Sequence, residues 1–168
     1  MSRTAEQYDA LVARLKQASL LSSCASVLGW DEQTYMPVGG VAHRAEQLAL
    51  LAGMAHDAAT DPALGQLIGD LESSGDIGPE DSLRSVNLRE ARREYDRATC
   101  LPKQLVQELS RVSSLGQQAW IEARANDEFS TFLPWLEQIV AMKREEAQAI
   151  GYSEEGEAYD ALLDHYEP

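Results

Sequence analysis

The sequence predicts an all-α protein, a bundle of about six to seven helices led by a long N-terminal one. Apolar residues recur at steps of three and four along almost the whole chain, which lines one face of a helix. Proline, glycine and small capping residues interrupt that pattern where helix ends are needed. No stretch of useful length alternates apolar and polar residues as a half-buried strand would.

The first helix starts at Thr4-Ala-Glu-Gln7, which reads as a capping box: Thr4 accepts from the N–H three residues on and Gln7 reaches back. Tyr8, Leu11, Val12, Leu15 and Ala18 form its stripe, continued with a small phase shift by Leu20, Leu21, Cys24, Val27 and Leu28. Unbroken from Thr4 to Leu28 it is about 37 Å long. The stretch Gly29-Trp-Asp-Glu-Gln-Thr-Tyr-Met-Pro37, with Gly39-Gly40 behind it, closes this segment. Pro37 donates no N–H and biases Met36 away from helical angles, so a sharp turn is expected, with Trp30 and Tyr35 folding back onto the helices on either side.

A second helix is expected over Val41 to Ala59, with Leu48, Leu51, Ala52 and Ala55 facing inward. Asp61-Pro62 supplies an N-cap and a proline at the first helical position, opening a short helix through Leu64, Leu67, Ile68 and Leu71. Ser73-Ser-Gly-Asp-Ile-Gly-Pro79 is a loop. It is not a domain boundary, because neither side could bury its apolar face alone, and residues 1–168 read as one domain. Pro79 opens a fourth helix bearing Leu83, Val86, Leu88, Ala91, Tyr95 and Ala98, with Arg89, Arg92, Arg93 and Arg97 interleaved among Glu90, Glu94 and Asp96 on its other face. Leu101-Pro102 ends it and begins a fifth, whose Leu105, Val106, Leu109, Val112, Leu115, Ala119, Trp120 and Ala123 give the cleanest helical period in the chain. Asn126 and Asp127 end that helix, Ser130 caps a sixth in which Pro134 falls in the first turn, and Gly151 terminates it. A last short helix is expected from Glu157 to Tyr166.

The formal charge is −14, with 14 Lys and Arg against 28 Asp and Glu. Affinity for nucleic acid or anionic membrane comes largely from cationic neutralisation, so neither is an expected partner. Cys24 and Cys100 are too few for a disulfide framework and sit in apolar helical settings, which predicts buried free thiols. No segment approaches the ~20 apolar residues of a membrane helix, and Met1 to Gln7 lacks the apolar run of a secretory signal. A cytoplasmic location is the expectation.

Several stretches resemble a known family. Leu28-Gly-Trp-Asp-Glu-Gln-Thr-Tyr-Met-Pro37 with Arg44-Ala-Glu-Gln-Leu-Ala49 is similar to the opening of the carboxypeptidase Taq family of metallocarboxypeptidases. Asn87-Leu-Arg-Glu90 with Arg93-Glu-Tyr95 and Ala98-Thr99 follows in the same order. So do Lys143-Arg-Glu-Glu-Ala147 with Ile150-Gly-Tyr152, and Tyr159-Asp-Ala-Leu-Leu163 with Tyr166-Glu-Pro168. The resemblance implies removal of C-terminal amino acids from peptides with a divalent metal, zinc or cobalt. It implies that this ion is held by a His-Glu-x-x-His helix downstream of the matched region, while the N-terminal helices wall the active-site groove.

The residues themselves offer little chemistry. His43, His56 and His165 are the only histidines, and none has another at helical spacing. His43 and Glu46 lie at i,i+3, a spacing better explained by a salt bridge or a solvated pair than by a shared metal. No catalytic residue and no metal ligand is assigned, and no substrate-binding residue can be named. Asp31 and Glu32 are adjacent, so on a helix their carboxylates diverge by about 100° and do not form one acid–base site. Capping or salt bridging is their expected role. The Arg89 to Arg97 face could fork a substrate carboxylate, but its interleaved acids favour an internally neutralised surface. Trp30, Trp120 and Trp135 are expected as core or interface anchors.

The leading expectation is therefore the N-terminal, non-catalytic helical part of a carboxypeptidase Taq-like enzyme, inactive alone. The alternative is a standalone helical interaction module derived from a truncated carboxypeptidase. Apolar surface left by a missing portion predicts a homodimer or higher self-association.

Overall fold

The structure is a computed structural model that describes residues 3–163. Among these residues there are seven α-helices and no strand, as the sequence predicts. They are α1 (Arg3–Thr34), α2 (Val41–Ala59), α3 (Pro62–Ser74), α4 (Leu83–Cys100), α5 (Lys103–Asn126), α6 (Phe129–Ile150) and α7 (Asp160–Leu163), with a 3₁₀ turn at Val38–Gly40.

Helix α2 is central, packed against α1 on one side and α5 on the other. Its buried residues are Ala45, Ala49 and Gly53, which occupy little volume and let its neighbours approach. Helix α6 lies on α5, and α3 bridges α1 and α4. The main apolar cluster sits at that second junction, where Leu11, Leu64, Ile68, Leu71, Leu88 and Ala91 are buried with Tyr8, Leu15, Ile77 and Tyr95 around them. Gly65 is required there, because a Cβ on it would lie 2.5 Å from the Tyr95 hydroxyl.

Several helix ends differ from the sequence expectation. Helix α1 continues past Leu28 to Thr34, for about 48 Å at 1.5 Å per residue. Gly29 is held inside it, and Pro37 acts only on Met36, so the chain turns six residues later than the glycine suggests. The Tyr35 and Met36 N–H groups both donate to the Asp31 carbonyl at 3.0 Å, closing the helix. The predicted capping box does not form as such: Thr4 lies within the helix, and the Gln7 amide instead donates to Asp70 of α3 at 3.2 Å.

Asp61 caps α3, accepting from Ala63 N–H at 2.8 Å, with Pro62 at the first position as expected. Helix α4 begins at Leu83, not Pro79. The Ser82 hydroxyl accepts from Ser85 N–H while donating to the Ser85 hydroxyl, whereas Pro79 only sets up the preceding turn. Leu83 consequently lies at the helix tip, 83% exposed. Helix α6 starts at Phe129, since the Glu128 carbonyl already accepts from Thr131 N–H, so Ser130 is inside the first turn rather than its cap. Pro134 is then inside the helix, on an exposed position. The predicted last helix is described from Asp160 to Leu163, and its continuation to Tyr166 lies outside the described residues.

Both cysteines are exposed, contrary to expectation. The stripe that carries Cys24 continues α1 beyond its core contacts, and Leu20 and Val27 on the same stretch are 66% and 62% exposed. Trp30 and Tyr35 likewise do not fold onto neighbouring helices. They stack on each other edge to face at 5.5 Å, both exposed.

Candidate functional site

The corner between α1 and α2 is the most heavily bonded part of the singled-out region. Arg44, in the first turn of α2, points its guanidinium back at the end of α1. One Nη donates to the Leu28 carbonyl, the other sits 2.5 Å from Asp31 Oδ2, and Nε donates to Gln47 Oε1 at 3.1 Å. Glu32 turns the other way and accepts from the Ser114 hydroxyl of α5. The two adjacent acids thus serve different neighbours, as their helical separation requires. Asp31 ties α1 to α2 and Glu32 ties α1 to α5.

The histidines do not converge. His43 is exposed on α2, and Glu46, its i+3 neighbour, pairs with Arg111 of α5 at 3.4 Å. His56 lies 13 residues further along the same helix, about 20 Å away. Its Nε2 is 2.9 Å from the Leu101 carbonyl and 3.2 Å from that of Ala98. Carbonyls only accept, so Nε2 carries the proton and donates to the carbonyls at the end of α4, of which that of Ala98 also accepts from Leu101 N–H. The other ring nitrogen, Nδ1, is buried without a partner. His165 lies outside the described residues.

Among the described residues no group of three or more His, Cys, Asp or Glu is placed to hold a metal ion. The described donor set does not fit the divalent metal that the resemblance implies: of the two described imidazoles, that of His56 is committed to backbone carbonyls and that of His43 is exposed on the surface.

The arginine face of α4 is neutralised from within and from α3. Arg92 forks onto Glu72 at 2.9 and 3.0 Å and reaches Asp96 at 3.2 Å. The Glu72 carboxylate, with Asp96 behind it, makes this guanidinium hold its proton still more tightly than usual. Arg93 donates to Glu90 at 3.1 Å, and Arg97 reaches the Ala161 carbonyl at 2.7 Å, fastening α7 to α4. The Arg92–Asp96 and Arg93–Glu90 pairs follow from helical spacing. The Arg92–Glu72 fork could not be read from sequence, because it depends on how α3 crosses α4. Trp135 is half-buried, whereas Trp120 is 43% exposed. The exposed Cys100 thiol donates to the Asp96 carbonyl at 3.2 Å.

The sequence profile of the carboxypeptidase Taq (M32) metallopeptidase family matches residues 10–168. The chain belongs to that family. This M32 chain is 36% identical over 168 residues to thermostable carboxypeptidase 1 of Thermus thermophilus, covering 96% of this chain and 33% of that enzyme. It is 32% identical over 162 residues to thermostable carboxypeptidase 1 of Pyrococcus furiosus, covering 96% and 32%.

Solved structures agree. The crystal structure of BsuCP superposes with a TM-score of 0.87 at 28% identity, over 95% of this chain and 31% of that one. A Pyrococcus furiosus carboxypeptidase gives 0.74 at 30% identity, over 99% and 32%. Trypanosoma cruzi metallocarboxypeptidase 1 gives 0.72 at 28% identity, over 96% and 32%. The M32 chain therefore spans about a third of the length of the relatives it matches, and the match is to their N-terminal region.

Proposed function

We propose that residues 1–168 are one helical unit, the N-terminal portion of a metal-dependent carboxypeptidase that releases C-terminal amino acids from peptides. In this reading the helices wall the substrate groove, and the ion is zinc or cobalt, held by ligands in the part of the relatives that this chain does not span. The observation that carries it is the match over residues 10–168 to a third of M32 enzymes by a chain whose described residues assemble no metal-ligand group.

The chain by itself is expected to be inactive. The test incubates the purified protein with N-blocked peptides and added zinc or cobalt, and quantifies free amino acids. No metal-dependent release is expected, while a polypeptide extended through a downstream His-Glu-x-x-His segment releases them. Release by the 168-residue chain refutes the proposal.

The exposed apolar side chains favour one addition, self-association of the isolated chain. Leu20, Val27, Trp30 and Tyr35 on and just after α1 are each more than half exposed, and contiguous apolar surface is commonly covered by a partner. Sedimentation is expected to show dimers or larger species that dissociate on dilution. A monomer at high concentration contradicts it. We also place the protein in the cytoplasm, where two exposed unpaired thiols remain reduced. Among the described residues no helix is long and apolar enough to cross a membrane.

A further inference from the structure

The corner between α5 and α6 carries a cavity that the family reading leaves unassigned. It has a volume of about 510 Å³ and three aromatic walls, Trp120, Phe129 and Phe132, the two phenylalanines meeting edge to face at 6.3 Å. Arg124, Asp127 and Glu128 line the same space. Asp127 takes φ 55, and its N–H and that of Glu128 both donate to the Ala123 carbonyl, which ends α5 and turns the chain.

On an unbroken helix Arg124 would pair with residues three and four ahead. Here the left-handed turn at Asp127 takes both acids off the helical path. None of these three charged side chains makes an ion pair with any described residue, although they share one cavity.

We propose that this corner binds a free amino acid with a large apolar side chain. The Arg124 fork takes the α-carboxylate, the Asp127 and Glu128 carboxylates take the α-ammonium, and the side chain lies against Trp120, Phe129 and Phe132. Each part of the ligand has a chemical counterpart. A guanidinium matches a carboxylate bidentately, and an ammonium is attracted both to carboxylates and to aromatic faces. A ligand with a carboxylate alone meets two unpaired acids, and a simple cation meets Arg124, so the mixed set of charges selects a zwitterion. The volume falls in the range of small-molecule sites. A second hollow shares Trp120 and Phe132 with the first and is bounded by Ile139. Free amino acids are also what a carboxypeptidase releases. That link rests on the proposed function, whereas the binding does not.

The test titrates the purified chain with L-phenylalanine by calorimetry and by amide NMR. Saturable binding is expected, with shifts concentrated at residues 120–132. Phenylalaninamide, which lacks the carboxylate, and N-acetylphenylalanine, which lacks the ammonium, are each expected to bind about tenfold or more weakly, the loss of one charge-assisted interaction. Glycine, with no side chain, is expected not to saturate. Arg124→Gln and Glu128→Gln replace exposed side chains and leave the fold intact, which circular dichroism checks, and each weakens phenylalanine binding by a similar factor. Absence of saturation, or equal binding by the Arg124→Gln variant, overturns the site. Equal affinity for N-acetylphenylalanine also overturns it, and points to the C-terminal residue of a peptide instead. Peptidase assays do not enter this result, so failure of the functional reading and failure of this site are separable.

Discussion

Replacing Arg44 by methionine tests the join between α1 and α2. The Arg44 side chain is only 12% exposed and holds the Asp31 carboxylate, the Leu28 carbonyl and the Gln47 amide oxygen at once. Hydrogen bonds to charged groups are worth about 1.5–3 kcal/mol each. Asp31 is a third exposed, so water recovers part of its solvation when the arginine is lost. The net destabilisation is expected to be about 2–4 kcal/mol, less than the sum of three such bonds. For a chain of this size that lowers Tm by roughly 4–16 °C. Arg44→Lys keeps a cation near Asp31 but cannot fork, and is expected to fall between. Thermal and urea unfolding followed by circular dichroism measure these values, and a double-mutant cycle with Asp31→Asn isolates the pair. An Arg44→Met variant that melts within about one degree of the parent, or a cycle that is purely additive, refutes the reasoning.

Other substitutions probe the points where the structure departs from simple reading. Gly29→Ala is expected to stabilise by about 0.5–1 kcal/mol, because the residue is helical with open space around it; destabilisation would mean that α1 ends there. Gly65→Ala is expected to cost about 1–3 kcal/mol through its clash with Tyr95, and a neutral result in urea unfolding would contradict that packing. Both Cys24 and Cys100 should react with a thiol reagent in the native state, whereas protection until denaturation would contradict their exposure. The Ala63 N–H, with Arg14 beside it, holds the Asp61 carboxyl below its ordinary value of 3.8. A depressed folded-state value stabilises the protein above the unfolded value, and that stability disappears as pH falls through the folded one. Asp61→Asn should therefore lose stability near neutral pH and flatten the acid limb of the stability curve. An unchanged acid limb in pH-dependent urea unfolding counts against this.

The helices and most of the core were legible because burial follows the 3.6-residue period: Leu11, Leu64, Ile68, Leu71, Leu88 and Ala91 all sit on predicted inner faces. Helix ends were less so. The stretch from Gly29 suggested an end after Leu28 and Pro79 suggested a start, yet α1 closes only where the Asp31 carbonyl accepts from Tyr35 and Met36, and α4 opens only where the Ser82 hydroxyl caps it. The exposure of Cys24, Trp30 and Tyr35 was not legible, since an apolar stripe shows which face is buried only if something covers it. Divergence of Asp31 and Glu32 followed from geometry alone. Their partners, Arg44 and Ser114, depend on how α2 and α5 cross α1, and sequence spacing carries no record of that.

On the proposed reading the described helices do not themselves hold the catalytic ion. Dialysing the purified chain against zinc or cobalt, removing loosely held metal on a desalting column, and measuring bound metal by mass spectrometry tests it most directly. No stoichiometric metal is expected. One tightly retained ion per chain, lost on replacing His43 or His56, would contradict it.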